Sequence, residues 1–85
     1  MNDSNEFSHT PAEARQIVGH NIRRLRKSHD LSQEQLAFRA GINRAYLSTV
    51  ENGKRNISIE NIFAVADALA VDVRELLRPM ERDKD

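Results

Sequence analysis

Between Leu31 and Asn56 the chain reads LSQEQLAFRAGINRAYLSTVENGKRN, two short amphipathic segments with one glycine between them. Leu36, Ala37 and Ala40 share one face of the first segment at helical spacing. Leu47 and Val50 share one face of the second, and Ile42 stands at the corner. Ala37 is small enough for two helices to approach closely, and Gly41 accepts a left-handed turn that a Cβ resists. Such a pair buries its apolar residues on one side only, so the outer face of residues 43–49 projects into solvent. The rest of the chain has to supply the core beneath it.

That core is legible as three further helices. Thr10-Pro11-Ala12-Glu13 is a start signal, with Thr10 as cap, Pro11 at the first helical position and Glu13 closing a capping box. Ala14, Val18, Ile22 and Leu25 then repeat at helical spacing to about Ser28. Ser32 with Gln35 is a second capping box, with Leu31 as an apolar staple, and Asn43 can cap the helix after Gly41. Gly53 stops that helix and Lys54-Arg55-Asn56 forms a basic loop. Ser58 caps a fourth helix built on Ile59, Ile62, Phe63, Ala66 and Leu69, and Asp72 with Glu75 opens a fifth, ended before Pro79. No run alternates with period two. The expectation is an all-α, five-helix domain over residues 10–79, with a loose tail at 1–9 and a charged tail at 80–85.

Eighty-five residues make one domain at most. A chain this short buries a modest core, so self-association is an expected source of stability. The absence of Cys excludes a disulfide framework, a thiolate metal site and a Cys nucleophile, and suits a reducing compartment. No apolar run approaches the roughly 20 residues of a membrane span, and the polar start MNDSNEFSHT is unlike a signal peptide. A cytoplasmic protein is expected. His20 and His29 lie nine residues apart, which is not a helical metal-ligand spacing. With no Gly-rich phosphate loop, paired-carboxylate motif or His/Cys cluster, neither an enzyme nor a metal or cofactor is expected, and no small-molecule ligand is evident.

Net charge is zero, which argues against nucleic acid until its distribution is read. Residues 15–55 hold nine basic side chains against Asp30, Glu34 and Glu51, a net +6. Residues 1–14 carry three acids and no base, and residues 56–85 seven acids against four bases, a net −3 each. The middle is basic and the ends are acidic. Two short helices joined by a tight turn make a helix-turn-helix. The second helix of such a pair fits the DNA major groove, with its N-terminal half nearest the base edges. Arg44, one residue past the cap, can grip guanine O6 and N7, and Ala45 and the Thr49 methyl can meet a thymine methyl. Free N–H groups where the second and fourth helices begin favour anions, so Gln33 and the loop before Ser58 are candidate phosphate sites, the latter strengthened by Lys54 and Arg55. Asn43 is occupied in capping. Tyr46 can donate to phosphate or pack its ring over the following loop.

Residues 17–77 resemble the phage-repressor type of helix-turn-helix domain, the family of the lambda and 434 repressors and Cro. Leu31-Ser32-Gln33-Glu34-Gln35-Leu36-Ala37, Gly41-Ile42, Tyr46-Leu47-Ser48 and Val50-Glu51-Asn52-Gly53 carry the resemblance. Arg55-Asn56-Ile57-Ser58 and the short fifth helix are also similar to the controller proteins of restriction–modification systems. The resemblance implies a homodimer on a palindromic DNA operator, with Arg44, Ala45 and Thr49 at base edges. It implies backbone contacts from Gln33, Asn43, Tyr46, Asn52, Lys54 and Arg55. It also implies an ion pair of Arg26 with Glu51. Asp30 departs from the pattern, which often has Gly there. Phe38 departs too, at a position usually polar: it tucks under the fourth or fifth helix or marks a partner-binding spot.

Val71, Val73, Leu76 and Leu77 are more apolar than a small core needs, and with Ile17 they are the expected dimer contacts. Two recognition helices would then sit about 34 Å apart. The leading expectation is a sequence-specific transcription regulator, repressor or activator, with RNA polymerase as a further candidate partner. The alternatives are a restriction–modification controller of the same chemistry, and an antitoxin-type protein-binding module, for which the head and tail are short.

Overall fold

The computed structural model describes residues 7–80. Residues 1–6 of the expected N-terminal tail and 81–85 of the C-terminal one lie outside the described residues. Four α-helices follow one another: α1 (Pro11–Ser28), α2 (Gln33–Ala40), α3 (Arg44–Glu51) and α4 (Ile59–Leu69). The expected fifth α-helix is instead a 3-10 helix, Val73–Leu77. The correction has a physical reason. The segment is confined between the left-handed turn at Ala70 and Pro79, and once the Asp72 and Arg78 caps are set aside only five helical residues remain, too few to reward an i→i−4 ladder. Among the described residues no helix is long and apolar enough to cross a membrane.

Local chemistry sets the starts. Thr10 Oγ1 accepts from Glu13 N at 3.1 Å while Glu13 Oε1 accepts from Thr10 N at 2.9 Å. Ser32 and Gln35 repeat the exchange at 3.0 and 2.8 Å. Asn43 accepts from Tyr46 N and Ser58 from Asn61 N, each at 3.1 Å. Each cap satisfies an N–H that the helix leaves open. Asp72 caps the 3-10 helix. Its bonds from the Arg74 side chain and amide hold the carboxyl at about 2, below the ordinary 3.8. The cap therefore contributes fully above pH 3.8 and is lost as pH falls through about 2.

The four α-helices stop in one way. A left-handed residue, Asp30, Gly41, Gly53 or Ala70, follows each helix. The next amide bonds back five residues: Leu31 N to Arg26 O, Ile42 N to Ala37 O, Lys54 N to Thr49 O and Val71 N to Ala66 O, at 2.9–3.1 Å. This is the Schellman closure. Two of the four residues carry a Cβ, and Ala70, at φ 57°, lacks even the polar side chain that helps Asp tolerate this region. Ala70→Gly is expected to raise stability by about 0.5–1 kcal/mol, read as a higher urea midpoint with an unchanged slope. A lower midpoint would mean that the methyl packs.

Ile22, Leu36, Leu47, Val50, Val65, Leu69 and Leu76 are the buried centre. α2 packs on α3 and α4, and α1 lies across α3 and the 3-10 helix. Ala37 is buried where α2 needs a small residue. Phe38 is not packed under α4 or the 3-10 helix: it is 86% exposed. At roughly 100° per residue it falls on the pole of α2 opposite Leu36 and Ala40.

Candidate nucleic-acid interface

α3 presents its outer face where its packing leaves it. Leu47, Val50 and Glu51 are buried, Ala45 and Thr49 are exposed on the opposite side, and Arg44 is exposed as the first residue of the helix. Arg44 takes part in none of the salt bridges among the described residues. The Thr49 hydroxyl donates to Tyr46 O at 2.8 Å, which commits its hydrogen to the helix. Asn43 has its side-chain oxygen on Tyr46 N, so its amide N–H groups are what it can offer a ligand.

Tyr46 is half-buried against the core. Its hydroxyl donates to Asn56 O at 3.4 Å and accepts from Asn61 Nδ2 at 3.2 Å, and the Arg55 guanidinium lies 5.1 Å from the ring centre. The ring thus packs over the α3–α4 loop and ties it to α3 and α4. A phosphate would have to compete with Asn56 for its hydroxyl hydrogen.

Beside Tyr46 runs a shallow open groove of about 660 Å3, lined by Arg15, Lys54, Arg55, Asn56, Ile57 and Ser58 as well as Tyr46. It lies against the start of α4, whose first amides face an anion favourably. Arg15 escaped the sequence reading. Its Nε donates to Gly53 O at 3.4 Å, which brings a third cation from α1 to Lys54 and Arg55. The available signal was position: Arg15, Gly19 and Arg26 fall on one face of α1, the face turned to α3.

Gln33 begins α2, and its Nε2 donates to Glu51 Oε1 at 3.0 Å. Glu51 is 6% exposed and Arg26 8%. Arg26 Nε meets Glu51 Oε2 at 2.7 Å and Nη2 meets Oε1 at 3.0 Å, while Nη1 donates to Leu31 O at 2.9 Å. No buried side-chain nitrogen or oxygen of the described residues lacks a partner. One buried carboxylate therefore fixes α1, α3 and the first residue of α2 together. Asn52, the C-cap of α3, is exposed beside Gly53.

The residues expected at a dimer contact separate. Leu76 is 0% exposed and belongs to the monomer core, so its side chain is out of a partner's reach. Val71 and Val73 pack partly on that core, Ile17 is half-buried, and Leu77 is 51% exposed. Ile59 and Phe63, one turn apart on α4, add exposed apolar surface.

Comparison with known proteins gives a consistent answer. The family model HTH_3, a helix-turn-helix, matches residues 22–76. Control protein C.BamHI of Bacillus amyloliquefaciens is 41% identical over 64 residues, which span 74% of this chain and 79% of that protein. The crystal structure of the restriction–modification controller protein C.AhdI from Aeromonas hydrophila superposes with a TM-score of 0.71 and 45% identity, covering 73% of this chain and 94% of that one. The crystal structure of SinR, a master regulator for biofilm formation, in complex with DNA has a TM-score of 0.69 and 35% identity, covering 72% of this chain and 98% of the crystallised one.

Proposed function

This chain belongs to the HTH_3 helix-turn-helix family, and we propose that, as a DNA-binding transcription regulator, it docks on a palindromic operator as a homodimer with α3 in the major groove. Residues 10–79 are the working domain, and the cytoplasm is its place of work. The observation that carries this reading is the single surface on which the exposed face of α3 adjoins a groove with three cations. Arg44, Ala45 and Thr49 read bases. Gln33, Asn43, Asn52, Lys54 and Arg55 hold the backbone, Arg15 joins them, and Tyr46 supports the loop they stand on. The surface suits phosphate and base edges and holds no constellation for catalysis. Leu77, Ile59 and Phe63 are among the exposed apolar groups open to a second copy.

Selection of bound sequences from random DNA with the pure protein tests this. A palindrome with half-sites one helical turn apart supports it, and no enrichment even at low salt overturns it. Within that assay, Arg44→Ala is expected to relax one base position in each half-site, at a cost of about 1–3 kcal/mol for the cognate base. Lys54→Ala and Arg15→Gln are each expected to weaken all sequences alike and to reduce the salt slope by about one phosphate contact. An equal loss over all sequences for Arg44→Ala would move that residue to the phosphate group.

The similarity to C.BamHI and C.AhdI favours a narrower second reading, control of restriction–modification genes. Neighbouring methyltransferase and endonuclease genes would support it. The protein then acts by occupying a promoter or by meeting RNA polymerase from an adjacent site. A co-purifying toxin would instead support the antitoxin reading.

A further inference from the structure

α1 carries a second buried polar side chain that DNA reading does not use. Asn21 sits mid-helix and is 2% exposed. A buried amide costs stability unless its donors and acceptor are matched. Here all are matched, and both bonds from the donor side run to one end of the chain. Nδ2 donates to Leu76 O at 3.0 Å and to Arg78 O at 2.8 Å. Oδ1 accepts from Arg24 Nη2 at 3.2 Å. A guanidinium can only donate and a carbonyl only accept, so Arg24 and the two carbonyls together fix which way the amide faces.

The two carbonyls flank Leu77. They belong to the end of a five-residue 3-10 helix followed by Pro79, which has no N–H to offer. Left alone, such a segment frays. With both bonds made, Leu76 is seated in the core and Leu77 stands out, half-exposed, at a fixed place. Asn21 works from the flank of α1 that meets the 3-10 helix, away from the Gly19 and Arg26 face turned to α3.

We infer that Asn21 is a positioning residue for self-association: its amide latches the C-terminal segment in the shape that presents Leu77 to a second copy of the chain. The inference rests on the homodimer reading above. An interface segment ordered in the free monomer need not be ordered on association, so the latch tightens the dimer without touching the partner.

Sedimentation of the full chain over a concentration series tests it, with amide hydrogen exchange alongside. Asn21→Ser is expected to raise the dimer dissociation constant about tenfold or more and to strip exchange protection from residues 73–78 while leaving α2 and α3 protected. Leu77→Ala is expected to weaken the dimer similarly, and the double variant to be no weaker than the worse single. Loss of protection across all helices in Asn21→Ser, an unchanged dissociation constant, or full additivity with Leu77→Ala would each overturn the latch. Should Asn21→Ser fail to fold, Arg24→Met, altered at an exposed site, removes the partner of the amide oxygen and loosens the latch. A dissociation constant then raised several-fold supports the latch, and an unchanged one overturns it. A wild-type chain that sediments as a monomer at every concentration overturns the homodimer reading itself.

Discussion

Glu51→Ala is expected to lower the free energy of unfolding by about 3–5 kcal/mol, most of what a domain of this size has. The carboxylate is buried and holds the Arg26 fork at 2.7 and 3.0 Å and the Gln33 amide at 3.0 Å. Removing it leaves a buried guanidinium with one carbonyl, Leu31 O, and strips Gln33 of its acceptor. The cost lies in the stranded charge more than in the lost attraction, because burying the intact pair is itself expensive. Two outcomes follow. Arg26→Met combined with Glu51→Leu should recover most of the loss, since apolar groups of similar volume need no partner. The free energies from urea melts of both singles and the double check this. A double variant as unstable as the two singles summed would sink the account. Under conditions where Glu51→Ala remains folded, its DNA affinity should fall too, because Gln33 is no longer aimed by α3.

This network shows how much of the molecule a sequence can carry. Arg26 and Glu51 stand at spaced positions in recognisable motifs, and the caps Thr10, Ser32, Asn43 and Ser58 mark helix starts because capping is local chemistry. The exposure of Arg44 and Lys54 is legible for the same reason: a few neighbouring residues decide it. Leu76 and Leu77 are not separable this way. Both are leucine, and a turn of roughly 120° per residue puts one in the core and the other in water. Phe38 misleads because apolar character is a poor guide to burial when it falls off the stripe. Arg15 and Asn21 were invisible for a different reason. Their partners lie 38 to 57 residues away, at Gly53, Leu76 and Arg78, and no periodicity encodes that distance. The zero net charge concealed the basic groove because the acidic ends offset it in the sum.

Gly19→Ala is the second large effect, and it runs against the usual sign. In an exposed helix interior this exchange favours the helix by about 0.8–1 kcal/mol. Here a Cβ would stand 2.3 Å from Val50 O and 2.8 Å from Glu51 O. Those atoms are backbone in the last turn of α3, so no side chain can swing aside. Restoring contact requires α3 to move by about 1 Å, against an ordinary C···O approach near 3.3 Å. The movement would also pull Glu51 from Arg26, two turns on from Gly19 along the same face of α1. A net loss of about 2–4 kcal/mol is expected, combining overpacking with a weakened pair. His20→Ala, one residue along on the exposed side, should change stability by less than about 0.5 kcal/mol. Urea melts of the two variants decide it: a Gly19→Ala chain as stable as the parent would mean that α3 tolerates the shift. If it shifts, DNA affinity should drop further than stability does, since the position of the exposed face of α3, proposed above to read bases, is set by how closely α1 lets it approach.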